Sequence, residues 1–152
     1  MNRLIAFRLC ASLLLASSLV SIGGLALAQS VPSNAAASTK YRTIFHVTEN
    51  DPQKWAQVLN NARYTQGELG AQNMDIIVVM NGGGIGMLKL ESPVAQRIDE
   101  AKKAGVKFHV CEQTMTAQKV TKQDMLPQAD YVPSGIADVV KLQSQGWLYV
   151  KN

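Results

Sequence analysis

Strand and helix signals alternate from Tyr41 to the end of this 152-residue chain, and this alternation constrains the fold more than any other feature. Runs rich in β-forming residues predict strands at residues 41–47, 74–80, 106–111, 129–132 and 147–150. Apolar residues at helical spacing predict helices from Asp51-Pro52 to Gly70, from Ser92-Pro93 to Gly105, over 114–120 and over 135–145. Such alternation predicts an α/β fold, in which a mostly parallel sheet lies between helices.

The carboxyl ends of the predicted strands form the edge at which we expect a functional site. Right-handed crossovers between parallel strands place these ends together, and open sheets of this kind bind their ligands there. Four loops, at residues 48–50, 81–86, 111–114 and 133–135, are expected to meet at this edge. Their candidate site residues are Cys111 as the catalytic group and Asn81, Gly82, Gly83, Gly84, Gln113, Thr114 and Ser134 as substrate- or anion-binding groups.

Cys111 is the candidate nucleophile because it lies where a predicted buried strand is followed by a helix. A helix N-terminus lowers the pKa of a cysteine, and the thiolate is the reactive form. The chain has two cysteines, and Cys10 lies in a predicted leader, so Cys111 keeps no internal disulfide partner. The alternative is an inert thiol, since free cysteine is among the most buried residue types.

Residues 81–86, Asn-Gly-Gly-Gly-Ile-Gly, are the most glycine-dense stretch of the chain. Their backbone N–H groups could cradle an anion, although the loop has neither dinucleotide-binding spacing nor the Lys-Ser/Thr of a phosphate-binding loop. The alternative is a tight loop that makes room for neighbouring chain. The N–H groups of Gln113 and Thr114 are expected to point toward the Cys111 sulfur, and Thr114 has an alternative role as a helix cap.

Residues 1–28 have the three-part composition of a secretory signal peptide. Arg3 and Arg8 precede an uncharged apolar run, and Ala26-Leu27-Ala28 predicts cleavage before Gln29. The alternative is an uncleaved membrane anchor, because the run approaches the length that spans a bilayer. Residues 29–40 are predicted to be a flexible spacer and residues 41–152 one domain. We therefore expect a periplasmic protein with no membrane contact after cleavage.

Charge and motif content exclude several classes of function. Two of the 15 basic residues and none of the 11 acidic residues lie in the leader, so the formal charge falls from +4 to +2 after cleavage. No basic cluster with interleaved aromatic residues remains, and no nucleic-acid partner is expected. His46, His109 and Cys111 are too few and lack the spacing of zinc ligands, so they do not predict a zinc site. We expect neither a metal nor a cofactor.

Three segments carry a resemblance to a known family. They are FHVTENDPQKWAQVLNNARY at 45–64, VKFHVCEQTM at 106–115 and ADYVPSGIADVVKLQSQGWLYVK at 129–151. The chain resembles the DsrE/DsrF-like family of sulfur-relay proteins, most closely its small exported single-domain members, and the likeness covers residues 41–152. The resemblance implies a three-layer α/β/α sandwich on a five-stranded, mostly parallel sheet, assembled as a homo-oligomer, a trimer or hexamer.

Active members of the family carry a cysteine directly after the third strand, and only Cys111 matches that position. The resemblance therefore implies a sulfurtransferase or carrier that takes sulfane sulfur as a persulfide on Cys111. Its partners would be sulfur donor and acceptor proteins, small thiols or polysulfide. Two alternatives stay open: a non-catalytic anion-binding or assembly subunit, since some members lack the thiol, and a thiol redox sensor.

Overall fold

Five parallel strands form the sheet at the centre of the computed structural model, which describes residues 40–152. The predicted leader and all of the predicted spacer except Lys40 lie outside the described residues. The strands are β1 (Tyr41–Val47), β2 (Met74–Met80), β3 (Lys107–Cys111), β4 (Ala129–Val132) and β5 (Leu148–Lys151). Their order across the sheet is β4-β3-β2-β1-β5, and every neighbouring pair is parallel. The predicted α/β sandwich is confirmed.

The described residues contain four α-helices and three short 3₁₀-helices. The α-helices are α1 (Pro52–Leu69), α2 (Ala95–Lys103), α3 (Glu112–Gln118) and α4 (Gly135–Ser144). The 3₁₀-helices are Ala71–Asn73, Gly82–Leu88 and Lys122–Asp124. Helix α1 begins as predicted, since the Asp51 side chain accepts a hydrogen bond from Gln53 N–H and Pro52 holds the first helical position.

Two predicted helix starts are wrong. Helix α3 begins at Glu112 and not at Thr114, because the extended backbone of Cys111 already serves as its N-cap residue. Helix α2 begins at Ala95, since residues 92–94 form a turn in which Ala95 N–H donates to Ser92 O at 3.1 Å. The glycine-rich segment, predicted to be a loop, folds into the 3₁₀-helix Gly82–Leu88.

The strand order decides which face of the sheet each helix covers. The chain steps in one direction from β1 through β2 and β3 to β4, and right-handed crossovers then place α1, α2 and α3 on the same face. Between β4 and β5 it returns across the sheet, which places α4 on the opposite face. The connections that leave the neighbouring strands β3 and β4 therefore diverge. A crevice at such a divergence is where open α/β sheets bind ligands.

Two apolar cores reflect this division. The larger core packs the apolar sides of α1, α2 and α3 against one face of the sheet, with Trp55, Ile98 and Met115 as examples. The smaller core lies under α4 and consists of Ile44, Ile77, Val79, Val139 and Leu142. Because so few side chains hold α4, its position depends strongly on its other contacts with the sheet.

The glycines at 83 and 84 allow the 3₁₀-helix to pack directly against the end of β1. Gly84 N–H donates to Thr48 O at 3.1 Å, and a Cβ on Gly84 would overlap the carbonyl of Val47. A Cβ on Gly83 would lie 2.7 Å from Asn50 N. Close approach of neighbouring backbone therefore explains why both positions are glycine.

Gly84→Ala is expected to destabilise the protein, because overpacking against fixed backbone costs about 1–3 kcal/mol or more. The matched control is Gly67→Ala, an exposed position inside α1 where a Cβ meets nothing within 4 Å. That substitution is expected to stabilise the protein by about 0.5–1 kcal/mol, since alanine is the better helix former. Urea unfolding of both variants measures the two changes, and equal effects would contradict the packing role of Gly84.

Candidate active site

Cys111 lies at the carboxyl edge of the sheet, as the last residue of β3 and the N-cap residue of α3. It is next to Val132 of β4, so it lies at the crevice where the two neighbouring connections diverge. Its residue surface is only 4% exposed. The sulfur is thus shielded from bulk water but lies at the edge where the fold binds ligands.

Four donor groups lie near the Cys111 sulfur and lower the pKa of the thiol. They are the Thr114 hydroxyl and the backbone N–H groups of Gly135, Thr114 and Gln113. The Gln113 N–H also donates to Pro133 O at 3.3 Å. Burial raises the pKa of the Cys111 thiol, but these hydrogen bonds together outweigh it, so that the pKa lies below its ordinary value. The site therefore favours a buried thiolate, which is the nucleophilic form of cysteine.

The orientation of the Thr114 hydroxyl is fixed by the glycine-rich segment. Gly82 N–H donates to Thr114 Oγ1 at 3.2 Å, so the hydroxyl oxygen is an acceptor there and its proton can point to the sulfur. Gln118 Nε2 donates to Gly82 O at 2.9 Å and holds the same segment to α3. Gly82 thus belongs to the site by supporting Thr114. The alternative role of Thr114 as a helix cap is wrong, because Cys111 is the N-cap residue of α3.

Gly135 brings the start of α4 against Cys111 from the neighbouring loop. A Cβ at Gly135 would lie 3.3 Å from the Cβ atoms of both Cys111 and Asn81. A larger residue would push α4 away from the sulfur, which explains the glycine. The side chain of Ser134 caps α4, since its Oγ accepts from Ala137 N–H at 3.4 Å.

Asn81 lies beside Cys111 across the sheet, one step beyond the pair formed by Met80 and Val110. Its Oδ1 is 2.8 Å from His46 Nε2, and His46 Nδ1 is 2.8 Å from the Tyr149 hydroxyl. With Asn81 Oδ1 as the acceptor, Nε2 carries the imidazole proton and Nδ1 accepts from Tyr149. The Asn81 Nδ2 group is then the donor that this side chain offers to a ligand.

His109 and Cys111 are on the same face of β3, but the imidazole bonds elsewhere. His109 Nδ1 lies 2.7 Å from Asp138 Oδ2 of α4, and both side chains are largely buried. The polar partner of the His109 imidazole is therefore on α4.

The structure brings most of the predicted site residues together. Gln113 and Thr114 lie near the sulfur and lower its pKa, Gly82 holds Thr114, and Asn81 lies alongside. Gly83 and Gly84 instead contact the loop after β1, and Ser134 contacts its own helix. Ligand binding by any of these residues stays a prediction.

The sequence placed the 133–135 loop at this edge but did not predict the role of Gly135, and it missed the side chains of Tyr149 and Asp138. All three depend on how α4 and β5 approach the other strands. The one signal in the sequence was the glycine at the predicted start of the fourth helix.

Within residues 40–152, no group of three or more His, Cys, Asp or Glu side chains could hold a metal ion. No helix in this same range is long and apolar enough to cross a membrane.

A sequence model of the DsrE/DsrF-like family matches residues 33–151. The chain belongs to this family. Solved structures agree on the fold. Protein MTH1491 of Methanobacterium thermoautotrophicum, described as a protein of unknown function, is 29% identical with a TM-score of 0.71, over 74% of this chain and all of that one. The ychN protein of E. coli shares the fold at 9% identity and a TM-score of 0.59, over 74% of this chain and 99% of that one. No protein with a curated description matches the chain.

Thr114→Val is expected to raise the pKa of Cys111, because it removes a hydroxyl donor while keeping the side-chain volume. Alkylation by iodoacetamide, followed against pH, should then inflect at higher pH. The rate at neutral pH should fall about tenfold, since a hydrogen bond to a charged group contributes on the order of 1.5 kcal/mol. Thr116→Val is the control, because Thr116 Oγ1 donates to Glu112 O on the same helix. An identical profile in both variants would contradict the role of Thr114.

Proposed function

We propose that this protein is a periplasmic sulfur carrier that accepts sulfane sulfur on Cys111 as a persulfide and passes it to an acceptor. The observation that carries this proposal is the set of four donors around a thiol at the carboxyl edge of a DsrE/DsrF-like fold. Sulfur relay is the activity associated with this family.

In the first step, the Cys111 thiolate attacks the outer sulfur of a donor persulfide, R–S–SH. A bond forms between Cys111 Sγ and that sulfur, the donor S–S bond breaks, and the donor leaves as the thiolate R–S⁻. In the second step, an acceptor thiolate or a sulfite-like nucleophile attacks the terminal sulfur. The S–S bond on Cys111 breaks and the Cys111 thiolate leaves, so no external oxidant or reductant is consumed.

The same donors serve both steps. Thr114, Gln113 and Gly135 stabilise the sulfur anion before attack and again when it leaves. A thiol of lower pKa is the better leaving group in sulfur exchange, so a lowered pKa favours release to the acceptor. Asn81 Nδ2 and the exposed side chain of Gln113 are the groups that we assign to binding the incoming sulfur compound.

A single thiol suits sulfur relay better than disulfide exchange. The chain has one other cysteine, Cys10, in the predicted leader, so the mature protein would have no resolving thiol. Thiol–disulfide oxidoreduction proceeds through a mixed disulfide that a second thiol resolves. A relay needs only the one sulfur that receives and releases the cargo.

The proposal includes assembly into a homo-oligomer, a trimer or hexamer. Large apolar side chains are exposed on two elements of the domain, with Val140 of α4 at 62% and Leu148 of β5 at 59%. Leu148 lines one cavity together with the exposed Tyr64 and Leu69 of α1, and grouped apolar side chains of this kind are typical of protein contacts. Donor and acceptor proteins are the other expected partners.

Persulfide formation tests the chemistry directly. The full chain carrying Cys10→Ser has Cys111 as its sole thiol, with or without its leader. After treatment with polysulfide, intact mass should rise by about 32 Da, the mass of one sulfur atom, because the thiolate takes up sulfane sulfur. The adduct should disappear with an acceptor thiol and should not form in Cys111→Ser. An unmodified mass, or an adduct that survives Cys111→Ser, would refute sulfur transfer.

Export is tested separately by the N-terminus of the protein recovered from periplasmic extract. Cleavage at the predicted site gives a chain that begins at Gln29. Ala28→Leu is expected to block this cleavage, because a large residue does not fit the small-residue position that the peptidase reads. Retention of residues 1–28 on the native protein would support the membrane-anchor alternative.

A further inference from the structure

One buried polar contact joins the first turn of α4 to the strand that carries Cys111. His109 Nδ1 and Asp138 Oδ2 are 2.7 Å apart, and their side chains are 16% and 15% exposed. Polar groups at this depth are expensive to leave without partners. The pair therefore holds its two elements together in a defined position.

The turn held by this pair is the one that reaches the sulfur. Asp138 N–H donates to Ser134 O at 3.0 Å and closes the turn that starts at Gly135. Gly135 packs directly on Cys111, since a Cβ at Gly135 would lie 3.3 Å from the Cys111 Cβ. On β3, His109 and Cys111 are two residues apart and point to the same face. Strand and helix are thus joined by two contacts, the packing of Gly135 on Cys111 and the polar pair of His109 and Asp138.

The apolar contacts of α4 lie further along the helix. Val139 and Leu142 pack on Ile44, Ile77 and Val79, which belong to β1 and β2 and not to β3. In the first turn, Ile136 is 52% exposed and contributes little burial. The start of α4 is therefore held near β3 by this polar pair and by the hydrogen bond from Gln113 N–H to Pro133 O at 3.3 Å, more than by the small core.

We propose that His109 and Asp138 are positioning residues, which hold the first turn of α4 against β3 so that Gly135 and its N–H group stay beside Cys111. This role deepens the proposed function, because a positioned N–H matters for sulfur transfer only if Cys111 reacts as a thiolate. Neither residue contacts the sulfur compound in this scheme.

Charge and position have opposite effects at Asp138, and two variants separate them. Removing the carboxylate charge alone favours a nearby thiolate, whereas releasing the helix turn disfavours it. Asp138→Asn loses the charge but keeps an acceptor oxygen for His109, and Asp138→Ala loses both. The comparison between these two variants therefore isolates positioning from charge.

Two variants of His109 make the same comparison from the β3 side of the contact. His109→Asn keeps a side-chain N–H donor at about the place of Nδ1, whereas His109→Val keeps a good strand former without a donor. Asp130→Ala is the matched control. Asp130 pairs beside His109 in the sheet, but its carboxylate bonds to Lys102 at 2.7 Å and not to α4.

The experiment follows alkylation of Cys111 by iodoacetamide against pH, in the full chain carrying Cys10→Ser. Asp138→Ala and His109→Val should inflect at higher pH and react about tenfold more slowly at neutral pH than Asp138→Asn and His109→Asn, the loss expected for one hydrogen bond to a charged sulfur. Asp130→Ala should match the parent. Amide exchange of Gly135 should be faster in the two slow variants.

Two outcomes would overturn the proposal. One is that Asp138→Ala reacts like Asp138→Asn, and His109→Val reacts like His109→Asn. The reactivity of Cys111 would then depend only on charge or on general stability, and not on the hydrogen bond between His109 and Asp138. The other is that Asp130→Ala slows alkylation as much as Asp138→Ala. Alkylation needs no sulfur donor, so the two proposals can fail separately. A chain that forms no persulfide but shows the expected order of alkylation rates among these variants would refute the carrier function and keep the positioning role.

Discussion

The divergence of the chain between β3 and β4 is the constraint on which the site depends. Cys111 ends β3 and begins α3 on one face, while the next connection enters α4 on the other face. Two helix starts therefore flank one sulfur, and their N–H groups have no intrahelical acceptors. Donors from Gln113 and Thr114 on one side and Gly135 on the other follow from the strand order rather than from any local motif.

The four donors matter for the chemistry of Cys111 because this residue is nearly buried. A nearly buried sulfur would normally be neutral and inert, but the four donors reverse the effect of burial on its pKa. In a persulfide the terminal sulfur would lie about 2 Å beyond Sγ. Since Cys111 is the last residue of β3, an acceptor would reach this sulfur at the carboxyl edge of the sheet.

Local patterns were enough to predict the fold and to place Cys111 at the carboxyl edge of the sheet, but not the contacts around it. The Asp51-Pro52 cap, the glycine stops and the continuous apolar run of β2 each reflect a preference of a few neighbouring residues, and these elements are confirmed. The start of α3 was placed two residues late, because a cysteine is not a usual cap. The hydrogen bonds of Gly135 and Asp138 join residues far apart in sequence, and no local preference encodes them.

The small core under α4 links folding to reactivity. Within residues 40–152, α4 is the one α-helix on its face, and it is held there by a few aliphatic side chains and the His109–Asp138 pair. A loosened core would move Gly135 N–H away from sulfur before the larger core on the other face is affected. Local openings of this kind occur at lower free energy than global unfolding. The reactivity of Cys111 should therefore report the stability of this one helix more closely than the stability of the whole domain.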